Sequence, residues 1–453
     1  MTSSSAPPAM AGTCFAGKRY AVLGLARSGL ATVRMLVRSG ASVMAWDSRD
    51  EPRQSVVSEF PDQVELADPV VADLSGFVGL VVSPGVPINN HPVADAAAQQ
   101  GVPLIGDIEL FALARPDLPA HRVVGITGTN GKSTTTSLVH HLLESAGVPV
   151  RMGGNIGLPI LDQDPLPAGG VYVLELSSYQ IDITQSLACD VAALLNITPD
   201  HLDRYDGFAG YAASKARLFA MQNPDQHAVF GMGDDDTLAI AAREELRRDA
   251  DRVHRVDGAG LLAMQADWPT LQGPHNLQNA AVAVAIVEAL GLRESQWRPA
   301  MATYSGLPHR MERVAEANGV LFINDSKATN PASTAPALAA FPPSDHPRIH
   351  WILGGLPKGD RLDECAPWFG NVASAYTIGE AGPHFSDLLS PFMPVQRSEM
   401  MAEAIRQAIA AAQPGDVVLL SPACASFDQF RDYEARGVAF RQIVEALLSD
   451  EAN

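Results

Sequence analysis

Arg122-Val-Val-Gly-Ile-Thr127 followed by Gly128-Thr129-Asn130-Gly131-Lys132-Ser133-Thr134 is the stretch that decides the fold. Its first six residues read as a buried strand, and the apolar spacing from Ser133 to Ala146 predicts a helix. A glycine-bearing loop between a strand and a helix is a phosphate cradle. The glycines let backbone amides converge on the anion, the Lys132 ammonium counters charge on the outer phosphates, and the Ser133 hydroxyl can reach Mg²⁺. The helix dipole favours negative charge at the same point. The chemistry indicated is use of ATP. The common eight-residue form of the loop has glycine where this chain has Ile126, so this is a variant loop.

Working outward, β-rich runs alternate with helical patterns at Arg19 to Gly24, Ser42 to Asp47, Gly79 to Ser83, Val171 to Leu176, Val191 to Ile197, Arg348 to Gly354 and Asp416 to Ser421. Such alternation predicts parallel sheets with helical crossovers. Proline-bearing joints at Leu113 to Ala120 and Ser305 to Pro308 divide the chain into three expected α/β domains, residues 1–114, 115–305 and 306–453. A chain of 453 residues is long enough for that number.

Composition narrows the function. A formal charge of −19 repels nucleic acid and anionic lipid, so neither is an expected partner. The four cysteines, Cys14, Cys189, Cys365 and Cys424, are scattered without metal-ligand spacing, which fits a reducing cytoplasm. The opening Met1-Thr-Ser-Ser-Ser-Ala-Pro-Pro has no basic region leading into an apolar run, and the longest apolar segment, Ala280 to Leu292, reads as a buried helix.

In the first domain, Tyr20-Ala-Val-Leu-Gly24-Leu-Ala-Arg27-Ser28-Gly29 is a strand turning sharply into a helix, and the next strand ends at Asp47. This approaches a dinucleotide fingerprint, but Ala26 stands where its second glycine belongs. Nucleotide binding and a turn needed only for packing both remain open on these residues. The loop Ser83-Pro84-Gly85-Val86-Pro87 can add amides to the same crevice.

In the second domain a strand ending in an acid is wanted beside the ATP loop, and Val171-Tyr-Val-Leu-Glu175 makes Glu175 the first metal candidate. Asp200-His201-Leu-Asp203 follows the next strand, where ligands collect in parallel sheets. The acids there are equally suited to capping a turn. Lys215 reads as a solvated helix lysine, and Asp234-Asp235-Asp236 as a loop before a helix.

Taken together the motifs resemble the Mur ligase family, whose members join an amino acid to a UDP-linked muramoyl precursor through an acyl phosphate. The resemblance spans nearly the whole chain: Gly128 to Thr134, Glu175-Leu-Ser-Ser178, Asp200-His201, Lys215, His275-Asn276-Leu-Gln-Asn279, Pro308-His309-Arg310 and Asn324-Asp325-Ser326-Lys327 occur in the family's order. Within it the chain is most similar to the branch that adds D-glutamate to UDP-N-acetylmuramoyl-L-alanine, through Gly153-Gly-Asn155-Ile-Gly157, Asp325 to Asn330, and Ser421-Pro-Ala-Cys-Ala-Ser426-Phe427-Asp-Gln-Phe430.

The resemblance implies a Rossmann-like UDP-binding domain, a central P-loop domain with a parallel sheet, and a C-terminal Rossmann-like domain. It implies that Arg27, Ser28, Ser48 and Arg49, with Ser83 and Gly85, hold UDP, while Asn155, Gln180 and His201 face the muramoyl substrate. Asn276, Asn279, Arg310, Asp325 and Lys327 would grip ATP beside the loop, and Ser133, Glu175, His201 and a carbamate on Lys215 would serve two Mg²⁺ ions. A carbamate gives a metal two hard oxygens where an ammonium would repel it. Thr329, Lys358, Ser426 and Phe427 would hold D-glutamate, with Lys132, His201, Lys215, Lys327 and Lys358 carrying the chemistry. The chain departs from the pattern at Phe427, where leucine is expected, and at Leu356-Pro357-Lys358, which replaces a glycine-rich loop. The implied protein is a cytoplasmic monomer of peptidoglycan precursor synthesis. The rival readings are a ligase for another amino acid, a folate-polyglutamating ligase, a P-loop switch and a dehydrogenase.

Overall fold

In a computed structural model, residues 10–200, 204–357 and 359–451 are described. The chain forms two compact units, one of residues up to Trp268 together with Pro274–Tyr304, the other of Pro269–Gly273 with residues from Ser305 onward. The first unit holds two sheets and the second holds one.

The first sheet is built from β1 (Arg19–Leu23), β2 (Ser42–Trp46), β3 (Val64–Leu66), β4 (Phe77–Val82) and β5 (Leu104–Ile105) in the order 3-2-1-4-5, all parallel. β1 is apolar after its first residue and buried on both faces, as a central parallel strand must be. The order reverses between β1 and β4, which opens a crevice at their C-terminal ends.

The second sheet contains β6 (His121–Thr127), β7 (Val150–Gly154), β8 (Gly170–Glu175), β9 (Val191–Leu194), β10 (His227–Gly231) and β11 (Val253–Val256), ordered 11-10-9-6-8-7 and again parallel. β6 lies between β8 and β9, so the loop leaving β6 emerges between the ends of both. The helix Lys132–Ser145 starts there and buries Leu138, Val139, Leu142 and Leu143. The helix Pro274–Ala289, apolar almost all round, packs against it.

The third sheet joins β12 (Glu312–Ala317), β13 (Val320–Asn324), β14 (Ile349–Gly354), β15 (Val372–Ile378), β16 (Val395–Glu399) and β17 (Val417–Leu420) in the order 12-13-17-14-15-16. β12 runs antiparallel to β13 and the other pairs are parallel. Two apolar layers, one around Trp351 and Leu419, the other around Phe322 and Phe440, cover its faces. Each of the eight strands expected from the sequence is present, with no end shifted by more than three residues. Among the described residues no helix is long and apolar enough to cross a membrane.

Candidate active site

The loop after β6 is held by its own backbone demands. Gly131 caps the helix Lys132–Ser145 with φ +83°, and a Cβ there would fall 2.2 Å from the Asn279 Oδ1 atom. Only glycine allows both the left-handed turn and that approach. Asn279 is buried and donates to Asn276 Oδ1 at 3.3 Å, so both amides of the Pro274–Ala289 helix sit at the loop. Lys132 Nζ donates to the carbonyls of Gly128 (2.9 Å) and Thr129 (2.8 Å), Ser133 is buried at the helix start, and Thr134 follows half-buried.

Lys215 corrects the reading of a solvated lysine. It lies on the helix Gly207–Ala220 but is 1% exposed, with Nζ donating to Gly128 O at 2.9 Å and 4.4 Å from the Tyr211 ring centre. Burial first, and then the Lys132 charge, lower its pKa to about 7. Helical spacing alone does not show this, because the surface that buries Lys215 comes from a loop nearly ninety residues earlier.

Glu175 ends β8 and is 2% exposed. Its Oε1 accepts from Asn155 Nδ2 at 2.9 Å, while Oε2 is buried without a hydrogen-bond partner among the described residues. Gln180 completes a capping box with Ser177 at the helix Ser178–Asp182. Asp234 accepts from Thr237 N at 2.8 Å and Ile197 N at 3.0 Å, so the triple-acid segment serves as a helix cap. His201, Asp203 and Lys358 lie outside the described residues. Within those residues no three His, Cys, Asp or Glu side chains gather as a metal site.

At the crevice of the first sheet, Ser83 Oγ donates to Gly24 O at 2.7 Å, tying the β4 loop to the β1 turn, with Gly85 exposed just beyond. A Cβ on Gly29 would meet Gly24 O at 1.7 Å, so the turn requires that glycine for packing. Asp47 accepts from Leu25 N (2.8 Å), Arg49 N (3.0 Å) and Arg49 Nε (3.2 Å). Burial pushes its pKa up, but those donors and the Arg49 guanidinium outweigh it and hold the group low. The acid at the end of β2 thus spends its oxygens on the turn and on Arg49. Arg27 donates to Gly157 O at 3.2 Å, reaching from the first sheet to the loop that follows β7; Ser28 lies half-buried in the first turn of the helix Arg27–Arg38, and Ser48 is exposed just after β2.

The second unit brings its own group together. Asp325 follows β13 and Ser421 follows the adjacent β17; Ser421 Oγ donates to Asp325 Oδ2 at 2.8 Å and Met311 N to Oδ1 at 3.2 Å. Burial pushes the Asp325 carboxyl up to about 7. Arg310 is close enough to lower it in part. Lys327 Nζ stands 4.0 Å above the Tyr433 ring. Thr329 is half-buried, Ser426 is buried, and Phe427 is 69% exposed. Leu356 and Ala425 exchange backbone hydrogen bonds of 2.9 and 3.0 Å, so the Leu356-Pro357 turn is anchored beside Ser426.

Sequence reasoning missed Arg436, which is 1% exposed and donates to Ser326 Oγ (3.0 Å), Ser326 O (2.9 Å), Cys424 O (3.0 Å) and Ala425 O (3.2 Å). One planar guanidinium therefore fixes the loop bearing Asp325 and Lys327 against the loop bearing Ser426.

Three family models match consecutive parts of the chain: "Mur ligase MurD-like, N-terminal domain" over residues 18–106, "Mur ligase middle domain" over 126–287, and "Mur ligase, glutamate ligase domain" over 309–424. A protein of Novosphingobium aromaticivorans named UDP-N-acetylmuramoylalanine--D-glutamate ligase is 70% identical over 436 residues, 96% of each chain. Its namesake in Zymomonas mobilis is 52% identical, covering 96% of this chain and 98% of that one. Among solved structures, UDP-N-acetylmuramate-alanine ligase of Thermotoga maritima matches at TM-score 0.57 and 16% identity, over 95% of this chain and 99% of that chain. That last likeness concerns the fold.

Proposed function

This chain belongs to the Mur ligase family, and from that premise we propose that it is the ATP-dependent ligase that adds D-glutamate to UDP-N-acetylmuramoyl-L-alanine in peptidoglycan precursor synthesis. The observation that carries this reading is likeness over nearly the full length to relatives that bear that name. A ligase for another amino acid, a folate-polyglutamating ligase, a switch and a dehydrogenase are correspondingly disfavoured.

The reaction has two steps. The L-alanyl carboxylate of the UDP-linked substrate attacks the γ-phosphorus of ATP, forming an acyl phosphate and releasing ADP. The neutral amine of D-glutamate then attacks the acyl carbon, the amide forms, and inorganic phosphate leaves with one proton lost from nitrogen. In this reading the loop Gly128 to Thr134 cradles the phosphates, and the Lys132 ammonium turns from the Gly128 and Thr129 carbonyls to the outer phosphate oxygens. Asn276 and Asn279 border the cradle, and Arg310, Asp325 and Lys327, all in the second unit, match the family's nucleotide-contacting residues.

The residues suit Mg²⁺: Glu175 offers a buried carboxylate oxygen with no hydrogen-bond partner among the described residues, and Ser133 a hydroxyl at the helix start. With a pKa near 7, Lys215 is substantially the neutral amine that carbamate formation with carbon dioxide requires. Ser133, Glu175, carbamylated Lys215 and His201 would hold two Mg²⁺ ions, which draw charge from the phosphoryl oxygens when bound. Arg27, Ser28, Ser48, Arg49, Ser83 and Gly85 take the UDP moiety, Asn155, Gln180 and His201 the muramoyl group, and Thr329, Lys358, Ser426 and Phe427 the D-glutamate. In this reading the chain works as a monomer, as the family likeness favours, and in the cytoplasm, where its scattered cysteines stay reduced.

The test is coupled ADP release by the full chain with UDP-N-acetylmuramoyl-L-alanine, ATP and Mg²⁺, offering D-glutamate, L-glutamate or other amino acids. Release is expected only with D-glutamate. Equal rates with every amino acid, or release without any amine, would sink the assignment.

A further inference from the structure

β9 ends at Leu194, yet the chain beyond it stays zipped to the loop that leaves β6. Leu195 N donates to Thr127 O at 3.0 Å and Thr129 N to Asn196 O at 2.9 Å, a ladder continued past the sheet's edge. The ladder then changes character. Asn130 N donates to the side-chain Oδ1 of Asn196 at 2.9 Å, and Asn196 Nδ2 returns a bond to Asn130 O at 3.1 Å. Two residues on, Thr198 N donates to Thr129 Oγ1 at 3.0 Å, and that hydroxyl lies 3.2 Å from Thr198 O.

A carboxamide carries a donor and an acceptor in the arrangement of a peptide group, so one asparagine side chain can satisfy both backbone groups of Asn130 while its own backbone serves Thr129. The amides of Thr129 and Asn130 are thereby committed to Asn196. The next residue, Gly131, caps the helix, and its approach to Asn279 leaves no room for a side chain. We propose that Asn196 is a positioning residue for the nucleotide, its side-chain amide standing in for a strand partner and fixing the first half of the phosphate loop. Alanine would release both bonds to Asn130. Aspartate, isosteric with asparagine, would keep the acceptor, lose the donor, and place a negative charge beside the phosphates.

The inference rests on the reading of the loop as an ATP site, and titration calorimetry of the full chain separates the two. Mg·ADP and UDP-N-acetylmuramoyl-L-alanine are each titrated into the wild type, Asn196→Ala and Asn196→Asp. Asn196→Ala is expected to weaken ADP binding about tenfold and Asn196→Asp more, with affinity for the UDP-linked substrate held within about twofold. Unchanged ADP affinity in the variants overturns the inference. So does an equal loss for both ligands, which would mean general loosening of the domain. If Asn196→Ala does not fold, Asn196→Asp is judged by the same two criteria. A wild type that does not bind ADP overturns the ligase reading and this inference with it.

Discussion

A carboxyl group taken out of water holds its proton longer, and Asp107, 3% exposed in the first turn of the helix Asp107–Ala114, is such a group. Burial pushes its pKa up to about 6, while the Ile108 N–H and the neighbouring Gln180 side chain pull it back only in part. The folded chain therefore binds this proton more tightly than the unfolded chain does. The stability it confers is complete below the ordinary value of 3.8 and is lost as pH rises through about 6. Between pH 4 and 7 the wild type should lose about 2 kcal/mol relative to Asp107→Asn. Thermal unfolding of both proteins across that range checks it, and parallel pH profiles would refute it. The same physics explains what single residues conceal in sequence. Lys132 stands out in sequence because its contacts, the Gly128 and Thr129 carbonyls, belong to its own loop, whereas Lys215 is buried by a loop distant in sequence and Arg436 by carbonyls of two separate loops. Asn196 offers one faint signal, a polar residue interrupting the apolar run from Val191 to Ile197.

At the scale of elements, one carboxylate holds a helix of the first sheet to a loop of the second. Glu109, buried in the helix Asp107–Ala114, accepts from Gln185 N (2.7 Å), Ser186 N (2.9 Å) and Ser186 Oγ (2.5 Å). These are charge-assisted bonds, and removing their shared acceptor leaves three donors without it. Glu109→Ala should cost about 2–4 kcal/mol, and Glu109→Gln, which retains one acceptor oxygen, about half as much. Urea unfolding of the full chain measures both; a loss under about 0.5 kcal/mol for the alanine variant would show the contact to be incidental. Strands differ in legibility for related reasons. β6, β8, β9, β14 and β17 are internal and apolar on both faces, so their runs stand out. β3 and β5 are three and two residues long, and the edge strand β16, Val-Gln-Arg-Ser-Glu, is mostly polar; pairing makes these strands, and their own composition does not announce it.

For the whole molecule, alternation of strands and helices foretells parallel sheets, but strand order is a property of packing between distant segments. Only the order 9-6-8 shows why the ATP loop, Glu175 and Asn196 share one edge. Charge is the molecular property most directly readable, and it has a kinetic consequence. At −19 the chain opposes the approach of ATP, of a UDP-linked sugar acid and of glutamate, all of them anions. At about 10 mM salt the screening length is roughly 30 Å, so an incoming anion meets the net charge well before it reaches the site; at about 150 mM it is roughly 8 Å. The close contacts proposed for Arg27, Arg49 and Lys132 would act within a few ångströms and survive that screening. The repulsion therefore fades sooner than the attraction, and kcat/KM for the UDP-linked substrate should rise about two- to threefold across this range at fixed Mg²⁺. Proteins that meet anions with a basic surface show the opposite slope. A steady fall in kcat/KM with salt would mean that local cations govern the encounter as well as the bound state.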